Sequence, residues 1–173
     1  MDGLEVIRAE EEWQRAGAYS VRIQGMNRQY HISLRDEFDE HDCDGTRYIV
    51  LLDDGYPIAT CRFYSETAKS NEVGTNKSET KACGCVSSNY QSTDEAAVIL
   101  GRVVVLPEYR GKKLGAKVVQ EAEKWIKELG YKQIVIDSRK EVVGFYKKLG
   151  YKIVDGNVKQ NSVFECICMK KTL

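Results

Sequence analysis

The apolar positions of the chain repeat with two different periods. Residues 114, 118, 119, 122, 125, 126 and 129 are apolar and fall on one face of a helix, and Gly130 follows as a C-cap. Ahead of them, residues 96–105 form a nearly unbroken apolar run, which predicts a buried strand. Residues 133–137 predict a strand, 140–149 a helix closed by Gly150, and 151–154 and 163–169 the last two strands. In the first half, residues 4–8 read as a strand. Residues 10 to about 26 read as a helix, with Trp13, Ala16, Val21 and Ile23 among its apolar positions and acidic residues at its start. Residues 27–45 are polar and acidic, a loop with room for a short helix. Two apolar runs, 47–52 and 57–63, flank Asp53-Asp54-Gly55, and an Asp-Gly between such runs signals a hairpin. Residues 64–95 are rich in Ser, Thr, Asn, Lys and Glu and lack periodicity, which predicts an insertion between two strands. Strand, helix, strand, helix and two strands predict an α/β architecture, a mixed sheet with helices on both faces.

A chain of 173 residues is expected to form one domain that buries roughly 70% of its unfolded surface. No apolar run approaches the roughly 20 residues that span a bilayer. The first residues, Met-Asp-Gly-Leu-Glu, carry no apolar core of a signal peptide, so the chain reads as cytoplasmic and not membrane-bound. The formal net charge is zero, which disfavours nucleic acid as a partner. The charges are segregated, however. Residues 101–173 hold 16 Lys/Arg against 8 Asp/Glu, and residues 1–100 hold 10 against 18. Such a division suits a polyanionic ligand beside a cationic one, and it also fits solvated surfaces that happen to differ.

Of the six cysteines, Cys61, Cys166 and Cys168 lie in apolar runs and read as small buried hydrophobes. Cys83 and Cys85 stand in the polar insertion, where a redox or metal role is an alternative, although a disulfide at that spacing is strained. His31, His41 and Cys43 lack the spacing of a metal site, so no metal is expected.

The chemistry gathers at residues 110–116, Arg-Gly-Lys-Lys-Leu-Gly-Ala, between the apolar strand and the amphipathic helix. A helix N-terminus presents free N–H groups and a positive dipole end, and Arg110, Lys112 and Lys113 add charge, so the segment suits a pyrophosphate. The stretch Val103-Val104-Val105-Leu106-Pro107-Glu108-Tyr109-Arg110-Gly111-Lys112-Lys113-Leu114-Gly115-Ala116 resembles the acetyl-CoA-binding motif of the GNAT N-acetyltransferases, Arg/Gln-x-x-Gly-x-Gly/Ala. Arg110 and Gly115 match, and Lys113 replaces the first glycine. The later Phe145-Tyr146-Lys147-Lys148-Leu149-Gly150-Tyr151 resembles the family's Phe-Tyr-x-x-x-Gly-Phe/Tyr helix, in the expected order. A left-handed backbone at Lys113 would cost roughly 1 kcal/mol. We expect it instead in the first helical turn, as an extra cation near the phosphates.

The resemblance covers residues 96–154 best. It implies the GNAT fold, a twisted mixed sheet of about six to seven strands flanked by helices on both faces. It implies acetyl transfer from acetyl-CoA to a primary amine by direct attack in a ternary complex. By the same resemblance, the backbone of Arg110, Gly111, Lys112, Lys113, Leu114, Gly115 and Ala116 holds the pyrophosphate. Val103, Val104 and Val105 lie on a splayed strand that pairs with the pantetheine arm, one N–H of which stabilises the oxyanion. Tyr146 is implied as the acid that protonates the leaving thiolate, against a packing role for the same ring. Candidate bases are Glu37, Asp39, Glu40, Asp42, Asp94 and Glu95. The cluster around residues 36–42 fits equally an exposed acidic loop or a pairing with Arg62. The acidic first half favours a cationic acceptor, and proteins of this fold often form homodimers. Two alternatives remain open: a non-catalytic acyl-CoA sensor, and an acyl-homoserine-lactone synthase, whose N-terminal region Glu37-x-Asp39-x-x-Asp42 loosely resembles.

Overall fold

The computed structural model describes residues 3–65, 97–161 and 163–173. Seven strands form one sheet in the order β1-β2-β3-β4-β5-β7-β6. They are β1 (Leu4–Arg8), β2 (Arg47–Asp53), β3 (Tyr56–Ser65), β4 (Ala97–Val105), β5 (Gln133–Arg139), β6 (Lys152–Asn161) and β7 (Phe164–Thr172). Every neighbouring pair is antiparallel except β4 and β5. The helices are α1 (Glu12–Arg22), α2 (Arg28–Tyr30), α3 (Leu34–Glu37), α4 (Leu114–Glu128) and α5 (Val143–Lys148).

The alternation of β2 shows why the sheet needs two helical layers. Tyr48, Val50 and Leu52 pack with Ala18 of α1, while Ile49 and Leu51 pack with Val118, Ala122 and Ile126 of α4. Both faces of the strand are buried, so its sequence reads as a continuous apolar run. The α4 helix ends as its sequence requires. Gly130 adopts φ +88, its N–H donates to Lys127 O at 3.0 Å, and Tyr131 N–H donates to Ile126 O at 3.2 Å. The β2–β3 hairpin turns through Asp54 (φ 48) and Gly55 (φ 80), the paired positive angles of a tight hairpin turn.

Two boundaries differ most from the sequence expectation. The first helix passes beyond Met26 through a π-helical turn, Ile23–Asn27, into α2, and ends at left-handed His31. Gly25 explains that turn: a Cβ there would lie 2.4 Å from Val104 Cγ1, so only glycine lets the helix press onto β4. The second difference is β6, which runs to Asn161 across an irregularity between Ile153 and Val158. This edge strand is almost wholly exposed, so no apolar alternation marks it. Of the insertion expected at residues 64–95, Tyr64 and Ser65 belong instead to β3. The rest of it, with Cys83, Cys85, Asp94 and Glu95, lies outside the described residues. Cys61, Cys166 and Cys168 are buried thiols, as expected. Among the described residues, no helix is long and apolar enough to cross a membrane.

Candidate active site

The site begins with a strand that parts from one neighbour and bulges against the other. β4 pairs with β5 only through Ala97, Val98 and Ile99, against Gln133, Ile134 and Val135. Beyond Ile99 the two strands part. On its other side, β4 pairs Gly101 with Arg62 and Val104 with Thr60, so Arg102 and Val103 together face a single residue of β3. This bulge places Arg102 at φ 50, a left-handed angle that costs a side-chain-bearing residue about 1 kcal/mol. Three contacts offset that cost. The Arg102 guanidinium donates to Glu37 O at 3.1 Å, Asp36 O at 3.5 Å and Asp39 Oδ2 at 3.1 Å.

The parted strands open a cavity of about 860 Å³. Val103, Val104 and Val105 line one wall, with Arg110, Gly111, Lys113, Leu114, Gly115 and Ala116 at one end. Lys112 does not line it: its ammonium lies 5.1 Å from the centre of the Tyr109 ring. Arg110 bends back over the strand, its Nε donating to Val105 O at 3.0 Å and its Nη2 to Gln29 Oε1 at 2.6 Å. Its side chain therefore braces the cavity mouth, which leaves the main chain of the turn to meet an anion. Among the described residues, no acceptor takes the N–H groups of residues 111–116, and α4 begins without a side-chain cap. At Gly115 a Cβ would meet the Phe145 ring at 3.5 Å and Val105 Cγ2 at 3.6 Å, ordinary van der Waals contact, so the helix start packs directly on the cavity wall.

Lys113 corrects the sequence expectation. It is the residue before the first helical turn, not within that turn, and its φ is 61. The left-handed angle is what a glycine would supply at no steric cost, so the lysine stores strain there. Lys113→Gly is expected to leave the melting temperature unchanged or to raise it by up to about 1 kcal/mol of stability, partly offset by the greater freedom of glycine when unfolded. Thermal unfolding of the two proteins checks this; a loss of more than about 1 kcal/mol would show that the lysine side chain makes a contact worth more than the strain.

Tyr146 sits on α5 and lines the cavity, 6% exposed. Its ring meets Phe145 and Tyr151 edge-on at 4.8 and 5.7 Å. No hydrogen bond occupies its hydroxyl among the described residues, and burial pushes the phenol well above its ordinary range. A phenol so placed keeps its proton until a stronger base arises beside it.

The acidic cluster is resolved differently from the base hypothesis. Arg22, fully buried, donates from Nε to Glu37 Oε1 at 2.7 Å and from Nη1 to Asp42 Oδ1 at 2.6 Å. Arg62 reaches Asp39 and Asp42, each at 2.7 Å, and Tyr48 donates its hydroxyl to Asp42 at 2.7 Å. Burial alone would raise Asp39 and Asp42, but the guanidinium groups outweigh it and hold both carboxyls below the usual range. Glu37, Asp39 and Asp42 are thus structural anions, the Arg62 pairing extended to Arg22 and Arg102. Glu40 remains half-exposed, 3.8 Å from His41. His41 stacks on Tyr64 at 4.2 Å.

Residues without a motif complete the cavity. Asp137 and Arg139 come from β5, Tyr30 from α2 and Phe164 from the start of β7. Burial raises the Asp137 carboxyl, against the opposing charge of Lys159. Their only sequence signal was the alternation of β5, which puts Asp137 and Arg139 on one face and buried Ile136 on the other. No group of three His, Cys, Asp or Glu among the described residues could hold a metal ion.

The chain matches the acetyltransferase (GNAT) family over residues 9–151. An uncharacterized acetyltransferase of Streptococcus pyogenes is 27% identical over 140 residues, covering 81% of this chain and 77% of the relative. A Lactobacillus plantarum protein provisionally named an N-acetyltransferase superposes with a TM-score of 0.76 at 24% identity, covering 99% of both chains. An aminoglycoside 6′-N-acetyltransferase complexed with coenzyme A superposes with a TM-score of 0.65 at 15% identity, covering 97% and 96%. The family match spans the parted strands, the α4 turn and the α5 tyrosine, and with these relatives it assigns the chain to the GNAT acetyltransferase family.

Proposed function

We propose that the protein transfers an acetyl group from acetyl-CoA to a primary amine. The observation that carries this reading is the parting of β4 from β5 beyond Ile99, which opens the cavity alongside the uncapped N–H groups of residues 111–116. The pyrophosphate is held by those N–H groups at the positive end of α4. The unpaired edge of β4 offers amide groups to the pantetheine arm, as buried or half-buried backbone groups require partners. A main-chain N–H of the bulged strand, at Val103 or Val105, stabilises charge that develops on the acyl oxygen. Tyr146 supplies a proton to the departing thiolate. The incoming ammonium must first lose a proton. Asp137 is placed for that step, because it lines the cavity and burial brings its pKa closer to neutral.

Thermal unfolding with acetyl-CoA tests the reading, with S-adenosylmethionine and ATP as comparisons. At about 100 times its Kd a ligand stabilises by roughly 2.7 kcal/mol, a shift on the order of 5–10 °C for a domain of this size. A shift with acetyl-CoA alone, followed by thiol release in the presence of amines, is expected. A shift with S-adenosylmethionine instead would overturn the cosubstrate assignment.

A further inference from the structure

Arg139 is a cation in the cavity with no anionic partner among the described residues. Its guanidinium carbon lies 5.3 Å from the centre of the Tyr30 ring and 4.8 Å from that of Phe164. Those two rings meet edge-on at 5.1 Å. The contacts orient the planar fork without using its N–H groups, and among the described residues no carboxylate comes within ion-pair distance of it. The contrast with the other cavity arginines is sharp: Arg102 is tied to Glu37 and Asp39, and Arg110 to Val105 and Gln29. A half-buried guanidinium held between two rings, with its N–H groups unengaged among the described residues, is a receptor for an oxyanion, which it can meet in a bidentate fashion.

We infer that the acceptor amine carries a carboxylate, which Arg139 binds. This rests on the acetyl-transfer reading and names its substrate class. Two observations favour the acceptor over the coenzyme as the owner of the anion. Arg139 sits among α2, β5 and the start of β7, whereas the uncapped phosphate turn belongs to residues 110–116. Its neighbour on the same face is Asp137, two positions earlier and about 7 Å away along the strand. One face therefore offers an anion for the ammonium and a cation for the carboxylate. A dianion such as a phosphate would meet the repulsion of Asp137 with only one guanidinium in its favour. The acidic cluster, moreover, is spent on Arg22, Arg62 and Arg102, so it does not reserve the site for a polycation.

The test compares matched amines with acetyl-CoA by thiol release: phenylalanine, phenylalaninamide and phenethylamine; lysine, lysinamide and cadaverine; with O-phosphoethanolamine and spermidine as separate arms. The same compounds are titrated calorimetrically onto the enzyme saturated with CoA, and onto the free enzyme. In at least one set, the amino acid is expected to exceed its amide and its decarboxylated amine by about 10- to 100-fold in kcat/KM or in affinity. Arg139→Gln is expected to abolish that preference, with Arg139→Lys restoring part of it, and both to leave CoA affinity unchanged. Equal use of amides and amino acids overturns the inference, as does a preference for spermidine or absence of binding by every amino acid tested. A preference for O-phosphoethanolamine lost in Arg139→Gln reassigns the oxyanion to phosphate. Weaker CoA binding by Arg139→Gln transfers the residue to the coenzyme site. If acetyl-CoA itself fails to bind, the transfer reading falls, and the titration onto free enzyme still decides whether Arg139 takes a carboxylate.

Discussion

Tyr146→Phe is expected to lower kcat by about 10²–10³-fold while leaving the affinity for acetyl-CoA unchanged. The substitution removes one oxygen and keeps the ring, so the edge-on contacts with Phe145 and Tyr151 persist and the fold should hold. What is lost is a proton donor at a cavity wall. The hydroxyl has no competing hydrogen bond among the described residues, and burial keeps it protonated throughout the neutral range. A thiolate leaving into the same dry cavity has its basicity raised by the same desolvation and takes that proton as the C–S bond breaks, whereas in the variant it must depart unprotonated or wait for water. Stopped assays at saturating acetyl-CoA and amine, with coenzyme affinity measured separately, separate the acid role from packing. Unchanged kcat, or a loss of coenzyme affinity equal to the loss of rate, would assign the tyrosine to packing alone.

Arg22→Ala is expected to cost about 3–5 kcal/mol, a fall on the order of 10 °C in melting temperature. The side chain is fully buried, joins Glu37 and Asp42, donates to Glu37 O at 2.6 Å and lies 4.2 Å from the Phe38 ring centre. Its removal leaves Glu37 with Arg102 at 3.4 Å and Asp42 with Arg62, each short of one partner in a poorly solvated place. The effect depends on pH, and its sign follows from the depressed carboxyls. Asp39 and Asp42 titrate lower in the folded protein than in the unfolded chain, where the value is about 3.9. Their stabilisation is complete above about pH 4 and is lost as pH falls from there toward the folded values. Wild-type stability should therefore drop steeply below about pH 4, and Arg22→Ala should show a shallower drop. Denaturant unfolding at neutral pH and at about pH 3 measures both slopes; parallel curves would show that the network is too well hydrated to matter.

The two halves of the cavity differ in how far they could be read from residues alone. The proposed coenzyme half rests on contiguous segments, the turn at 110–116 and the helix bearing Tyr146, where composition and local order coincide. The proposed acceptor half draws Tyr30, Asp137, Arg139 and Phe164 from three separate elements, none in a motif. The acidic run was visible as charge, but its meaning lay in its partners. Arg22, Arg62 and Arg102 come from α1, β3 and β4, and pairing with them turned candidate bases into structural anions. Lys113 shows a subtler failure. A glycine would have announced the left-handed angle, and a lysine conceals it while the turn demands it all the same.

By itself the sequence determined the elements whose cause is local. Helical periodicity and Gly130 bounded α4, the Asp54-Gly55 turn joined β2 to β3, and buried apolar runs marked the central strands. These follow from short-range sterics, capping and the burial of a face. Only the tertiary structure decided where β4 leaves β5, how Arg102 came to occupy a bulge, and which charges find partners. Those outcomes depend on groups far apart in the chain meeting across a few ångströms. Among the described residues, Glu37, Asp39 and Asp42 met arginines, whereas Arg139 met only the rings of Tyr30 and Phe164, and that difference is what the proposed carboxylate acceptor rests on.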